Sequence, residues 1–185
     1  MGFIISNTKH TERQGHAYAY EDYVIERYNF IKEPNYLSEW DAYTEDGTPI
    51  QIKSHENKQV MFLSGFKNNM CRNKDFLLIE GIWEYNQNKE KQIIQENIYL
   101  IPIKFWKKQF PETESQLMLS IFNGIDNTQN TDSLWKYRLK QFKDIWNTTD
   151  SIITPYFKRD RGMQKRIQCG INYTNQKHLQ QFKIN

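Results

Sequence analysis

Cysteine and histidine are scarce in this chain of 185 residues, with two of the first and four of the second, and neither is grouped. Cys71 and Cys169 make no CxxC pair. His10, His16, His55 and His178 form no HxxxH or HExxH. A zinc hydrolase and a disulfide framework are therefore excluded. Two free thiols suit a reducing compartment, so the expected location is cytoplasmic. There is no run of about 18 apolar residues to cross a membrane. The start, MGFIISNTKHTERQG, has a short apolar patch with no basic stretch before it, which argues against a signal peptide. Neither GxxxxGK[ST] nor GxGxxG occurs, so a phosphate-cradling loop is not expected.

Aromatic residues are plentiful: 11 Tyr, 11 Phe and 5 Trp, or 15% of the chain. They compensate for an apolar content of only 38%, because each buries a large area, and they offer faces on which nucleobases can stack. The net charge of +3 is small but unevenly spread. Residues 158–166, KRDRGMQKR, hold five cations and one anion. A basic strip on a nearly balanced protein points to a polyanion partner, the alternative being a solvated loop.

The length suits one domain over residues 1–185. Residues 14–32 read as a helix, with Tyr20, Val24, Tyr28 and Ile31 on one stripe and Pro34 as a stop signal. SEWDAYT (38–44) and PIQIKSH (49–55) flank turn signals. Residues 60–70 fit a strand or a short helix. DFLLIEGIWEY (75–85) reads as a buried strand, 86–96 as a polar hairpin loop, and NIYLIPIKFW (97–106) as the neighbouring strand. Residues 115–122 are ambiguous. Residues 132–146 have helical spacing with Asp132 or Ser133 as N-cap, and 165–173 alternate like a strand. The expected class is α/β (or α+β) with a mixed central sheet.

Within T44-E45-D46-G47-T48, glycine stands where a three-residue hairpin loop needs a left-handed residue for its bulge. With 45–47 as the loop, residue 44 pairs with 48, 42 with 50, 41 with 51 and 39 with 53. Asp41, Gln51, Glu39 and Lys53 then share one face. Trp40, Ala42, Ile50 and Ile52 take the other and enter the core. A two-residue loop would separate Asp41 from Gln51. A carboxylate, an amide oxygen and an ammonium on one face suit a hard cation, with the Ile52 carbonyl as a third ligand. Lys53 is then placed to orient water, take a proton or stabilise charge. The alternative is an exposed polar hairpin face. Glu21 falls within the apolar stripe of the first helix while Glu26 points away. A carboxylate there is costly unless it is paired, binds a cation, or escapes to water at the helix start.

A helix with an inward Glu21, a strand bearing Asp41, a hairpin, and then Gln51-Ile52-Lys53 resemble the PD-(D/E)xK nuclease superfamily. Trp40 stands where the motif has Pro, and Gln51 where it has an acid. The core resemblance spans about residues 15–105. The layout of WKYRLKQFKDIW and IITPYFKRDRGMQKRIQCGINY is similar to the tail of small type II restriction enzymes, giving a recognition region over 132–185. The resemblance implies a restriction-endonuclease-like core, a mixed sheet flanked by helices, Mg²⁺ dependence with Mn²⁺ as a substitute, and cleavage of double-stranded DNA. It makes Asp41 and Gln51 metal ligands with Ile52, Lys53 the catalytic lysine, and Glu21 an outer-shell or second-metal ligand. Glu39, His55 and Glu56 are the nearest further candidates. Lys158, Arg159, Arg161, Lys165 and Arg166 would neutralise phosphates. Gln164, Gln168 and Asn172 are possible base readers, and Arg166 is the candidate for guanine. A structure-specific nuclease and a non-catalytic nucleic-acid-binding protein are the alternatives, and the chain is a monomer or homodimer.

Overall fold

The computed structural model describes residues 3–5, 15–35, 38–123, 132–159 and 165–184. The first helix, α1, spans Gly15–Tyr28 and ends earlier than its periodicity predicts. Asn29 takes a left-handed conformation (φ 55°). The Phe30 N–H reaches back to the Ile25 carbonyl at 3.0 Å and the Asn29 N–H to that of Glu26 at 3.4 Å. This paired closure satisfies carbonyls that the helix end would otherwise leave open. The stop therefore lies at Asn29, five residues before Pro34. Ile31, expected on the helical stripe, lies exposed in a two-residue strand β1, Ile31–Lys32.

Next come β2 (Ala42–Tyr43) and β3 (Pro49–Glu56). Residues 60–70 resolve into both predicted alternatives in series, β4 (Met61–Gly65) and α2 (Phe66–Cys71). The apolar run forms β5, Phe76–Tyr85. Its partner β6 covers Lys91–Ile101, starting six residues before the expected position because the connecting turn is short. In that turn Asn86 accepts the N–H groups of Asn88 and Glu90 with its side-chain oxygen, each at 2.9 Å. Pro102 ends β6, and what was read as its continuation is α3, Ile103–Lys108. Then follow α4 (Glu112–Asn123), α5 (Asp132–Trp146), β7 (Ile153–Arg159) and β8 (Lys165–Ile171). A short α6 (Tyr173–Gln176), a 3₁₀ turn (Lys177–Phe182) and β9 (Lys183–Ile184) complete the described chain.

The fold is mixed α/β. One sheet has the order β1-β2-β3-β5-β6-β9; β3 and β5 run parallel and the other neighbours antiparallel. A second, antiparallel sheet has the order β4-β8-β7. The large sheet divides two cores. On one face α1 lays Tyr20, Val24 and Ile25 over Ile50, Ile52 and Ile79. On the other, Phe76, Leu78, Tyr99 and Ile101 meet Leu63, Cys169 and Ile171 of the second sheet, with Trp106, Met118 and Phe142 from the helices. Because both faces of β5 are covered, its sequence reads as a continuous apolar run rather than an alternation. Each large aliphatic buried this way contributes about 1.5–3 kcal/mol.

Candidate functional site

The hairpin between β2 and β3 has the expected register, with Ala42 opposite Ile50 and Tyr43 opposite Pro49. Gly47 supplies the left-handed residue at φ 82°, which glycine adopts without the penalty of a Cβ. The Thr44 N–H donates to the Thr48 carbonyl at 3.0 Å and closes the loop. Asp46 takes the Thr48 N–H at 3.2 Å and is also bonded by the Thr44 hydroxyl. Strand β2 begins only at Ala42, so β3 extends beyond it from Gln51 onward. Into that opening Asp41 turns its carboxylate.

Oδ2 of Asp41 accepts the Ile52 N–H at 2.6 Å and the Lys53 ammonium at 2.9 Å, and faces Nε2 of Gln51 at 3.5 Å. In an extended strand a residue's N–H and C=O point toward the same edge, so the Ile52 carbonyl faces this opening too. The Asp41–Lys53 pair keeps some contact with solvent, the side chains being 18% and 22% exposed. Gln51 does not: it is 1% exposed and its oxygen accepts a hydrogen bond from Nη2 of Arg72.

Glu21 reaches the same place from α1. Tyr20, one residue before it, lies against Gly81, where an added Cβ would come within 2.4 Å of the ring. The Tyr20 and Tyr28 hydroxyls both donate to Glu96, at 2.8 and 2.6 Å. These contacts fix the helix, and Glu21 is left half-buried beside the hairpin. Burial first, and then the charge of Asp41, push its carboxyl up to about 7, with Lys53 and Lys32 acting against them. Glu26 is exposed, as its place on the wheel requires.

Thus Asp41, Gln51, Ile52 and Lys53 come together, with Glu21 close enough for its proton affinity to depend on Asp41 and Lys53. Trp40 does not join Ala42, Ile50 and Ile52 in their core. Its ring lies across the sheet from them, 5.3 Å from that of Phe76. The chain leaves the ladder at Asp41, so strict alternation stops there. Glu39 is half-buried and acts, with Asp41, on the charge of Arg72. Glu56 is exposed, whereas His55 is buried. Its Nε2 faces Glu80 at 2.9 Å and its Nδ1 the Glu56 carbonyl at 2.9 Å.

Two residues of this region escaped the sequence. Glu80, 1% exposed, lies beside Lys53 in the β3–β5 register and takes hydrogen bonds from Asn97 and Tyr99, both at 2.8 Å. Burial pushes its carboxyl up, but the bonds from His55, Asn97 and Tyr99 outweigh that and hold it below the ordinary value. A carboxylate in the middle of an apolar strand, between Ile79 and Ile82, was the available signal, since such a group needs partners. Arg72, between α2 and β5, gave none. Its guanidinium carbon lies 4.3 Å from the Trp40 ring centre, 4.4 Å from that of Phe76 and 5.2 Å from that of Trp106.

The oxygen donors available for a cation are the carboxylates of Asp41 and Glu21 and the Ile52 carbonyl, a hard set that leaves room for water. Two carboxylates that disfavour each other's charge would be relieved by a cation between them. Among the described residues no three His, Cys, Asp or Glu side chains gather to hold a metal.

Of the basic strip, Arg161 and Gln164 lie outside the described residues, as do the side chains of Lys158, Arg159 and Lys165. The strand register sets Lys158 opposite Arg166 and Arg159 opposite Lys165. Arg166 is exposed and lines a cleft of about 730 Å³ with Lys67, Asn68 and Gln116. Gln168 is half-buried, and its amide donates to the Leu63 carbonyl at 3.0 Å, tying β8 to β4. Asn172 is held by Tyr156 and Thr154. Both amides are thus engaged within the protein. The two cysteines are free, Cys71 exposed and Cys169 buried. No helix of the described residues is long and apolar enough to cross a membrane. No family model, curated protein or solved structure matches the chain.

Proposed function

We propose that this protein is a divalent-cation-dependent DNA endonuclease with a restriction-endonuclease-like core, cutting double-stranded DNA at a specific sequence, in the manner of a type II restriction enzyme of the cytoplasm. The observation that carries the reading is the meeting of Asp41 and Lys53 at 2.9 Å in an opening of the sheet edge, with Glu21 brought in from α1. Mg²⁺, or Mn²⁺ in its place, would be held by Asp41, the Ile52 carbonyl and Glu21. When bound it supplies a more acidic water and a counter-charge for phosphate. Lys53 is positioned to orient the attacking water and to stabilise the charge that develops on the phosphate. Asp41 holds the ammonium in place.

The paired cations of β7 and β8 support a polyanion partner. Like charges directly opposed across two strands destabilise the hairpin unless something neutralises them, and a phosphate backbone does so. Arg166 remains the candidate for guanine and Lys158, Arg159, Arg161 and Lys165 for phosphates; Gln164 keeps its role as a possible reader.

The test is digestion of a mapped plasmid with Mg²⁺ or Mn²⁺. Discrete fragments are expected from the wild type. Lys53→Ala should lower cutting by about 10²–10⁴-fold with DNA binding nearly intact. Cutting of branched DNA alone would move the assignment to a structure-specific nuclease. Uncut but bound duplex, or wild-type cutting by Lys53→Ala, would overturn the catalytic reading.

A further inference from the structure

We propose that Arg72 is a positioning residue that locks the Gln51 side chain onto Asp41 and so keeps Gln51 out of the coordination shell of a cation held there. The proposal rests on the cation site proposed above. A guanidinium offers only hydrogens, so the Gln51 atom that meets it is the oxygen. Nε2 is thereby turned to Asp41, at 3.5 Å. To offer its oxygen to a cation beside Asp41, the amide would have to turn over and set its NH₂ against Arg72. Both residues are 1% exposed, so no solvent softens that clash of donors.

Arg72 cannot withdraw. The rings of Trp40, Phe76 and Trp106 surround its guanidinium. Its Nε and Nη1 have no hydrogen-bond partner among the described residues, which leaves Gln51 as its hydrogen-bonded anchor. Burial pushes it down to about 10, against the pull of Glu39 and Asp41, so it stays charged at neutral pH. Trp40, one wall of the cage, immediately precedes Asp41. The same cage thus ties the aspartate's backbone and the glutamine's amide to one cation supplied by the protein itself.

The experiment uses the full chain and Arg72→Met, which keeps an unbranched stem and a sulfur that tolerates aromatic neighbours. In ¹⁵N-labelled protein the Gln51 side-chain amide is identified by its loss in Gln51→Ala. Its hydrogens should exchange with solvent at least about tenfold faster in Arg72→Met, matching the loss of a hydrogen bond to a charged group. Unchanged exchange overturns the proposal. Calorimetric titration with Mn²⁺ alone reads the second half. Gln51→Ala should bind within about threefold of wild type, and Arg72→Met about tenfold more tightly, with the gain vanishing in the double variant. A tenfold loss in Gln51→Ala would make Gln51 a ligand and sink the proposal. A gain that persists in the double variant would reflect removed positive charge alone and would also sink it. Mn²⁺ binding that is absent from the wild type removes the cation site and the coordination half of the proposal with it, while amide exchange still decides whether Arg72 holds Gln51.

Discussion

A carboxyl that keeps its proton in the folded protein but loses it in the unfolded chain makes stability fall as pH rises. Glu21 is such a group, with an ordinary value of 4.5 raised to about 7. Between these values the folded state binds more protons than the unfolded state, so the slope of stability against pH is negative. Glu21→Gln should therefore gain on the wild type as pH goes from about 4.5 to about 7, by on the order of 1–2 kcal/mol after solvent screening. Urea midpoints at pH 4.5 and 7.5 would show it; a constant difference between the two proteins would contradict the raised value. At this scale the sequence was informative where the geometry is local. Asp41 and Lys53 are joined by one hairpin whose register Gly47 fixes, so their meeting follows from turn chemistry and the period of two. Arg72 reaches Gln51 only after the chain has made a crossover, and nothing in the CRNKD stretch around it marks that.

At the scale of elements, the docking of α1 depends on a missing side chain. Gly81→Ala would put a Cβ within 2.4 Å of the Tyr20 ring and press the helix from the sheet. The cost should be about 1–3 kcal/mol, as for overpacking elsewhere. Because the same shift would carry Glu21 away from Asp41, the variant should also lose the pH dependence that Glu21 confers. Chemical denaturation across pH measures both; a stable variant with an unchanged pH profile would show that Tyr20 does not set the helix position. The elements themselves were legible where long periodic patterns dominate, as in 132–146 and 75–85. They were misjudged at ends fixed by single residues. Asn29 stopped α1 by a backbone closure that periodicity does not register, and Pro102 divided a predicted strand into β6 and α3. The short α6 and the final strand have too few residues to carry a period.

For the molecule as a whole, Glu80 opposes Glu21. Its carboxyl is held below the ordinary value of 4.5, so its contribution to stability is present above that pH and is lost as pH falls through the lower, folded value. With Glu21 favouring acid and Glu80 favouring base, the combined contribution of these two groups is greatest near pH 4.5, their common ordinary value. Melting temperatures from pH 3 to 8 would reveal it, and a maximum above pH 7 would argue against this balance. Glu80→Gln would set a buried amide NH₂ against one of the groups now bonded to the two carboxylate oxygens, and should cost about 1–3 kcal/mol. The mixed α/β class was readable from the order of patterns. The division into two sheets was not, because the pairing of β4 with β8 joins residues about a hundred positions apart, beyond the reach of any local signal.

The large sheet ends in strands of two residues on either side, β1 and β9, each carrying one lysine. A neighbouring chain that tried to extend the sheet from β1 or β9 would find one or two rungs to bind and a lysine in each strand, and short, charged strands of this kind discourage pairing there. If the proposed cutting of both strands of a duplex calls for two subunits, they would have to meet through some other surface; otherwise one subunit would have to sever one strand, let go, and return for the second.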